Sequence, residues 1–564
     1  EFALDDISVS FNRAYIYDAG NWSPNNPVTG ATLSTASDDI EVRSGTATIN
    51  GKLLGNNLII STGATLEMAA ASTLSLAGDI TNDDGNITFK SNASGTAILD
   101  KFNGNISGSG EVTVERFITK NRAFRFLASP VNTSGSSKPT INDNWQQQGK
   151  KPNDNTNYPN YHPNVGTHIT GGAKSDGFDQ NASGNPSLYT FNNAIETYTA
   201  VSSANNLATN GLSLETGKPY YILVRGDRSI DLNKNDTKET VTTLEATGSL
   251  AVGDQTVVDV SSTGTDGYIL IANPYQAPVK LDDVLANSTN INANTDVFVW
   301  DPQAGSDFSK GQFATVDNSG SNNLTGSNAN RILQPGQSVF VQATTPGSAV
   351  QVNFKESHKV GSSKLTDVFS VDSNTNLDGF LRVGLYPSGF TPFVDVAKDG
   401  FIVRFDDSFN NAVDQQDGGK TSAGGENMAL SIDNEYISIN SRKLPNKLNE
   451  VIDIYTYQYK DSEKTQLRGK EYTLAFELQG LQNLPNGIIL WDKYKDSYTR
   501  LSDHQTITFN VDLSIPESKA NDRFALVFEN ETLGTQNPEL NTMGIYPNPV
   551  VENKLSIEFA DIKS

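Results

Sequence analysis

The residues able to do chemistry are few. The 564-residue chain has four histidines, His162, His168, His358 and His504, and no cysteine. Without cysteine there is no disulfide, no thiolate nucleophile and no cysteine-ligated zinc or iron–sulfur site. GxSxG, HExxH, GxxxxGK[ST] and GxGxxG are absent, so serine-elbow, zincin and nucleotide sites lack their usual spacing. His358 and His504 sit in polar turns, where a solvated side chain is the ordinary reading. His162 and His168 lie six residues apart in a polar insertion, a weak metal-pair spacing. A Ser-His-Asp triad is defined by geometry rather than sequence order and stays open. Carboxylate pairs for glycoside hydrolysis carry no information among 65 acidic residues.

Two clusters point instead to binding. Asp406, Asp407, Asp414 and Asp417, followed by Gly418 and Gly419, crowd one loop. Hard oxygen donors on a glycine-bent loop suit a structural calcium ion, although the spacing is not that of an EF-hand and acidic loops are ordinarily just solvated. Trp145, Tyr158 and Tyr161 stand among Asn and Gln in the insertion 131–187. Aromatic faces beside amides can hold a sugar's apolar face and bond its hydroxyls. A loop that long is otherwise a partner surface or disordered. The net charge of −23 opposes nucleic-acid binding, which needs clustered Lys and Arg. No apolar run approaches the ~20 residues of a membrane-spanning helix.

The elements that would position these residues read as all-β. In 11–116, apolar couplets recur at Leu58/Ile60, Leu66/Met68, Leu74/Leu76, Ile87/Phe89 and Val112/Val114, the first three eight residues apart. This spacing predicts rungs of a parallel β-solenoid, with an antiparallel meander as the alternative. Tyr15 to Ser23 would cap its open end. In 117–360 the chain repeats itself. Phe124 to Pro130 answers Tyr268 to Pro274, Leu188 to Phe191 answers Val297 to Trp300, and Thr216 to Val224 answers Pro335 to Val341. Two similar sheets packed face to face would bury both apolar sides. Residues 361–532, with strands at 380–385, 401–405, 472–476 and 524–528, read as a β-sandwich. Helical periodicity is nearly absent, with a turn or two expected at Leu281 to Leu285. A polar linker at 533–541 then leads to the tail, 542–564.

In that tail, Ile545-Tyr546-Pro547-Asn548-Pro549 gives a rigid extended lead-in, because two prolines fix two φ angles and remove two donors. Leu555, Ile557 and Phe559 then alternate with polar residues at the period of a half-buried strand. This stretch resembles the opening of the type A C-terminal sorting domain of type IX secretion system cargo in Bacteroidota. Such domains usually run on for several strands, so the tail is expected to cover about the first strand of a β-sandwich. The stretch from Glu115 to Phe528 is similar to the region upstream of that domain in large adhesin-like surface proteins, through phrases such as Ile271-Ala272-Asn273-Pro274-Tyr275 and Gln334-Pro335-Gly336-Gln337. Residues 1–10 look like the closing strand of a preceding jelly-roll module, so the chain reads as a window from a longer protein.

The resemblance implies a secreted, cell-surface, β-rich protein, and with the catalytic motifs missing the first reading is a non-enzymatic adhesin. Its partners would be the outer-membrane translocon and its shuttle protein, with a surface glycan or protein as ligand. No cofactor beyond the candidate calcium is expected. The alternative is the accessory and sorting region of a secreted polysaccharide-degrading enzyme whose catalytic module lies upstream. A hydrolase site within the chain is the third reading.

Overall fold

The computed structural model describes residues 13–119, 122–146, 164–181, 184–232, 240–292, 294–302, 311–322, 327–361, 379–393, 397–406, 409–413, 417–420, 426–443, 450–460, 464–481, 487–528, 544–551 and 554–558. The expected closing strand at 1–10 and the linker at 533–541 lie outside them. The protein is nearly all β, 46% strand and 3% helix, with a solenoid of about five turns at its N-terminal end. Among the described residues the α-helix is the short Leu281–Ala286.

Each solenoid turn has three faces. Leu58–Ile60, Thr65–Met68 and Thr73–Leu76 belong to three different parallel stacks. Leu58 pairs with Ile80 of the next turn, and Leu66 with Ile87. The eight-residue spacing therefore separates faces within a turn, and a full turn runs from Leu58 to Ile80. Alternation sends Leu58, Ile60, Leu66, Met68 and Leu74 inward, each fully buried, and stacking identical faces makes one continuous core. Asn21–Ser23 pairs antiparallel with Ala14–Asp18, so a hairpin covers the first rung. At the other end the long strand Glu111–Ile118 takes Thr242–Leu250 as an antiparallel neighbour, and the solenoid sheet passes without a break into the next region.

That region holds two four-stranded sheets of one topology. In the first, Ala123–Leu127 pairs Tyr220–Val224, which pairs Leu188–Asn192, which pairs Thr197–Ala200. In the second the same order runs Tyr268–Ala272, Ser338–Gln342, Val297–Asp301, Gln312–Val316. The registers correspond pair for pair: Leu127↔Tyr220 answers Ile271↔Val339, and Tyr189↔Tyr221 answers Phe298↔Phe340. The turns after the first strands also match. Val131 N–H donates to Ser129 Oγ at 3.1 Å, and Tyr275 N–H donates to Asn273 Oδ1 at 3.0 Å, each across a proline. A side-chain acceptor in that place substitutes for a backbone turn bond.

The sheets pack face to face through aromatic rings. Phe124, Phe126, Tyr221 and Leu223 of one meet Leu270, Trp300 and Phe340 of the other. Trp300 Nε1–H donates across the layer to the Phe124 carbonyl at 2.7 Å. Each sheet also closes the other's open edge. Asn193 bonds both the N–H and the carbonyl of Leu270, and Glu196 accepts from the N–H groups of Asp266 and Tyr268. In return, Ala128 N–H donates to the Gly336 carbonyl at 2.7 Å. Edge strands left open are templates for aggregation, and these are filled from within the chain.

Glu356, 6% exposed, ties the solenoid to the second repeat. It accepts from Phe102 N–H at 2.9 Å and Gly253 N–H at 3.0 Å, and pairs with Lys359. The C-terminal region, expected as a sandwich, is one continuous 11-stranded sheet folded over on itself. Phe509, on one edge strand, meets Phe524 near the other end with ring centroids 4.8 Å apart. Arg523 staples the same closure, bidentate to Asp492 at 2.9 and 2.8 Å and donating to the Asn510 carbonyl at 2.8 Å.

The Gly336 turn packs tightly against the other repeat. Its φ is +65°, and an added Cβ would lie 2.3 Å from the Ala128 carbonyl oxygen of the other repeat. Gly63 has a similar φ of +72° but open space around it. Gly63→Ala should therefore cost about 1 kcal/mol of backbone strain alone, and Gly336→Ala clearly more, because backbone must move. Urea denaturation of the two variants checks this, and equal losses would contradict the interlocked turn.

Candidate functional site

The tail is a hairpin. Gly544–Val551 and Lys554–Glu558 pair antiparallel, with Ile545 opposite Ile557 and Tyr546 opposite Ser556. The register then shifts between Tyr546 and Val551, the stretch that holds Pro547, Asn548 and Pro549. Proline cannot donate to a ladder, so pairing breaks there and resumes beyond. Leu555 lies in the second strand, and Phe559 falls outside the described residues. Among the described residues this two-stranded sheet joins no other sheet of the chain.

The acidic loop is held by the chain's own donors. Asp417 Oδ1 accepts from Ser441 N–H at 2.7 Å and Asn440 Nδ2 at 3.0 Å, pinning Gly418–Gly419 against the strand Glu435–Arg442. Asp406 sits at the same, C-terminal end of that strand, its N–H donating to the Arg442 carbonyl at 3.1 Å. Asp407 and Asp414 lie outside the described residues. Close by, the fully buried Asp399 takes Lys420 Nζ at 2.5 and 2.6 Å and the Met428 N–H at 2.7 Å. Among the described residues no group of three His, Asp or Glu is placed to hold a metal ion.

Trp145 is 4% exposed and packs edge-on against Tyr220, centroids 5.4 Å apart, in one core with Ile141, Ile169 and Phe178. A sugar platform needs an open ring face, which this indole does not offer, while Tyr158 and Tyr161 lie outside the described residues. The insertion's described parts are thus folded onto the core, because its few apolar residues are spaced to reach it.

Of the two histidines read as solvated turns, His504 is exposed and His358 is buried. His168 is buried with Nδ1 2.7 Å from Asp179 Oδ2 and Nε2 2.9 Å from the Ile230 carbonyl. Arg228 closes the group, bidentate to Asp179 at 3.1 and 2.5 Å and donating to the Gln146 carbonyl at 2.7 Å. Both ring nitrogens are thereby engaged, and His162 lies outside the described residues. His358, expected in a polar turn, is 3% exposed and accepts from Lys355 N–H through Nδ1 at 3.1 Å. His504 is exposed, beside Asp503 and the Phe393 ring. Nothing in the sequence marked Asp179 and Arg228 as partners, since the pair closes only through tertiary folding.

No protein-family model, curated protein or solved structure matches this chain.

Burial alone would raise the Asp179 carboxyl, but its bonds to His168 and Arg228 hold it below the usual carboxylate range. Asp179→Asn removes the charge facing a buried guanidinium and should cost ~3–5 kcal/mol in denaturant unfolding, as breaking a buried pair does. A loss below ~1 kcal/mol, the worth of a surface pair, would contradict it. Burial, with the Lys355 charge adding to it, lowers the His358 pKa. Its contribution is then complete above the ordinary imidazole pKa of ~6.5 and is lost as pH falls through the folded value. His358→Asn, which keeps an acceptor but cannot titrate, should flatten the fall in melting temperature between about pH 7 and 5. An unchanged slope would show that this imidazole is not what titrates.

Proposed function

We propose that the chain is a non-enzymatic, adhesin-like cell-surface protein, carried across the outer membrane by the type IX secretion system through its tail. The observation that carries this reading is the tail itself. Ile545-Tyr546-Pro547-Asn548-Pro549 and Leu555-Ser556-Ile557 form a hairpin that, among the described residues, stands apart from every sheet of the body. A free two-stranded sheet offers two strand edges, and a partner that adds its own strand could read either one. The translocon and its shuttle protein are the proposed readers.

The body supports a display role. A solenoid sharing a sheet with the first repeat, and a second repeat held by Glu356, make a scaffold of regular strands with binding left to loops. A surface glycan or a protein is the proposed ligand. The buried His168–Asp179–Arg228 group fits a structural part in this reading, because each of its hydrogen-bonding atoms already has a partner inside the fold.

Cutting after Asn541 should leave the body's melting temperature nearly unchanged, because among the described residues the last core strand is Phe524–Phe528. Expressed in its native host, the cut chain should accumulate in the periplasm while the full chain reaches the surface or medium. Normal surface amounts of the cut chain would defeat the sorting reading.

A further inference from the structure

Five arginines buried elsewhere in this protein face carboxylates, while Arg125 donates to the Ala123 carbonyl. Arg228 pairs with Asp179, Arg523 with Asp492, Arg382 with Glu477, Arg442 with Glu450 and Arg331 with Asp282. Arg122 and Arg225 are different. They are the first residues beyond the paired strands Ala123–Leu127 and Tyr220–Val224, where Ala123 lies opposite Val224. The register sets the two arginines side by side, and like charges directly opposite on neighbouring strands are destabilising. By alternation they lie on the face that carries Phe124 and Leu223, so they close one end of the aromatic layer between the repeats.

Both are half-buried, and among the described residues neither has a carboxylate partner. Arg122 Nε and Arg225 Nη1 are shut off from solvent and donate to nothing. Arg468, reaching in from the C-terminal sheet, spends its Nε on the Tyr459 carbonyl at 2.9 Å. Burial lowers the Arg225 pKa to about 9, and the charges of Arg122 and Arg468 add to the fall. All this occurs in a chain with 65 acidic and 42 basic residues, where a carboxylate partner is easily supplied. Nor does the repeat require arginine there. The corresponding positions of the second repeat are Asp266 and Thr344.

We propose that Arg122 and Arg225, with Arg468 beside them, bind an oxyanion: a sulfate, phosphate or carboxylate group seated at the end of the aromatic layer. The guanidinium fork matches such groups with paired N–H bonds, and a bound anion turns two opposed charges into a stabilising set. The free inorganic ion and the acidic group of a sugar share this chemistry.

The test titrates the full chain with sodium sulfate, sodium phosphate and sodium glucuronate. Sodium chloride keeps ionic strength constant, and the readouts are melting temperature and isothermal titration calorimetry. At least one anion should bind saturably and raise the melting temperature above the chloride control. Sulfate or phosphate alone would identify the inorganic ion, and glucuronate the acidic sugar. Arg225→Gln should weaken that binding about ten- to a hundredfold, the worth of a charge-assisted hydrogen bond. Arg225→Lys, which keeps the charge and loses the fork, should fall between the two and serves if the Gln variant does not fold. No saturable binding by wild type in any of the three arms overturns the proposal, and so does anion binding that Arg225→Gln leaves unchanged.

Discussion

The burial of two aromatic sheet faces against each other is the constraint on which the middle of this protein depends. A four-stranded sheet exposes an apolar face and two unsatisfied edges, and neither repeat removes both by itself. Phe124, Phe126 and Tyr221 need Trp300 and Phe340 to cover them. The edge strand Tyr268–Ala272 needs Asn193 and Glu196 from the other repeat, and Ala128 needs the Gly336 carbonyl. Removing one sheet would leave the partner with an open aromatic face and an open edge together. The neighbours are then built outward, the solenoid through Glu111–Ile118 and Thr242–Leu250, and its side contact through Glu356.

Much of this was legible because it is local. Alternation at Leu58/Ile60 and Leu66/Met68 is enough to specify strands, and like turns after Ser129 and Asn273 mark like positions. What spacing could not tell was whether eight residues make a turn or a face. That depends on three faces closing into one coil, which no single couplet encodes. The continuous 11-stranded sheet was illegible for a related reason. Its closure rests on Phe509 meeting Phe524 and on Arg523 reaching Asp492 and Asn510, contacts set by curvature.

The polar residues were the least legible. Trp145 and His168 stand in an Asn- and Gly-rich stretch whose composition suggests an exposed loop, yet both are buried, since one indole or one ion pair can anchor a polar segment. Asp417 was grouped with its acidic neighbours by sequence, while the fold gives it to Ser441 and Asn440. A charged residue's role depends on its donor or acceptor, and that partner is usually distant in the chain. The tail is the converse case. The strand at Leu555 and Ile557 could be read from local alternation, while the pairing of the proline-bearing lead-in as a strand of its own, Gly544–Val551, could not.

The central claim is that the two repeats form one cooperative unit through the aromatic layer. Native-state hydrogen exchange on the full chain tests it most directly, because residues that open together exchange with a common free energy. Amides of Phe126 and Ile222 in the first sheet and of Ile271 and Val339 in the second should share one opening free energy and one denaturant dependence. If the first sheet exchanges through its own lower-energy opening while the second stays protected, the repeats are independent and the account is wrong.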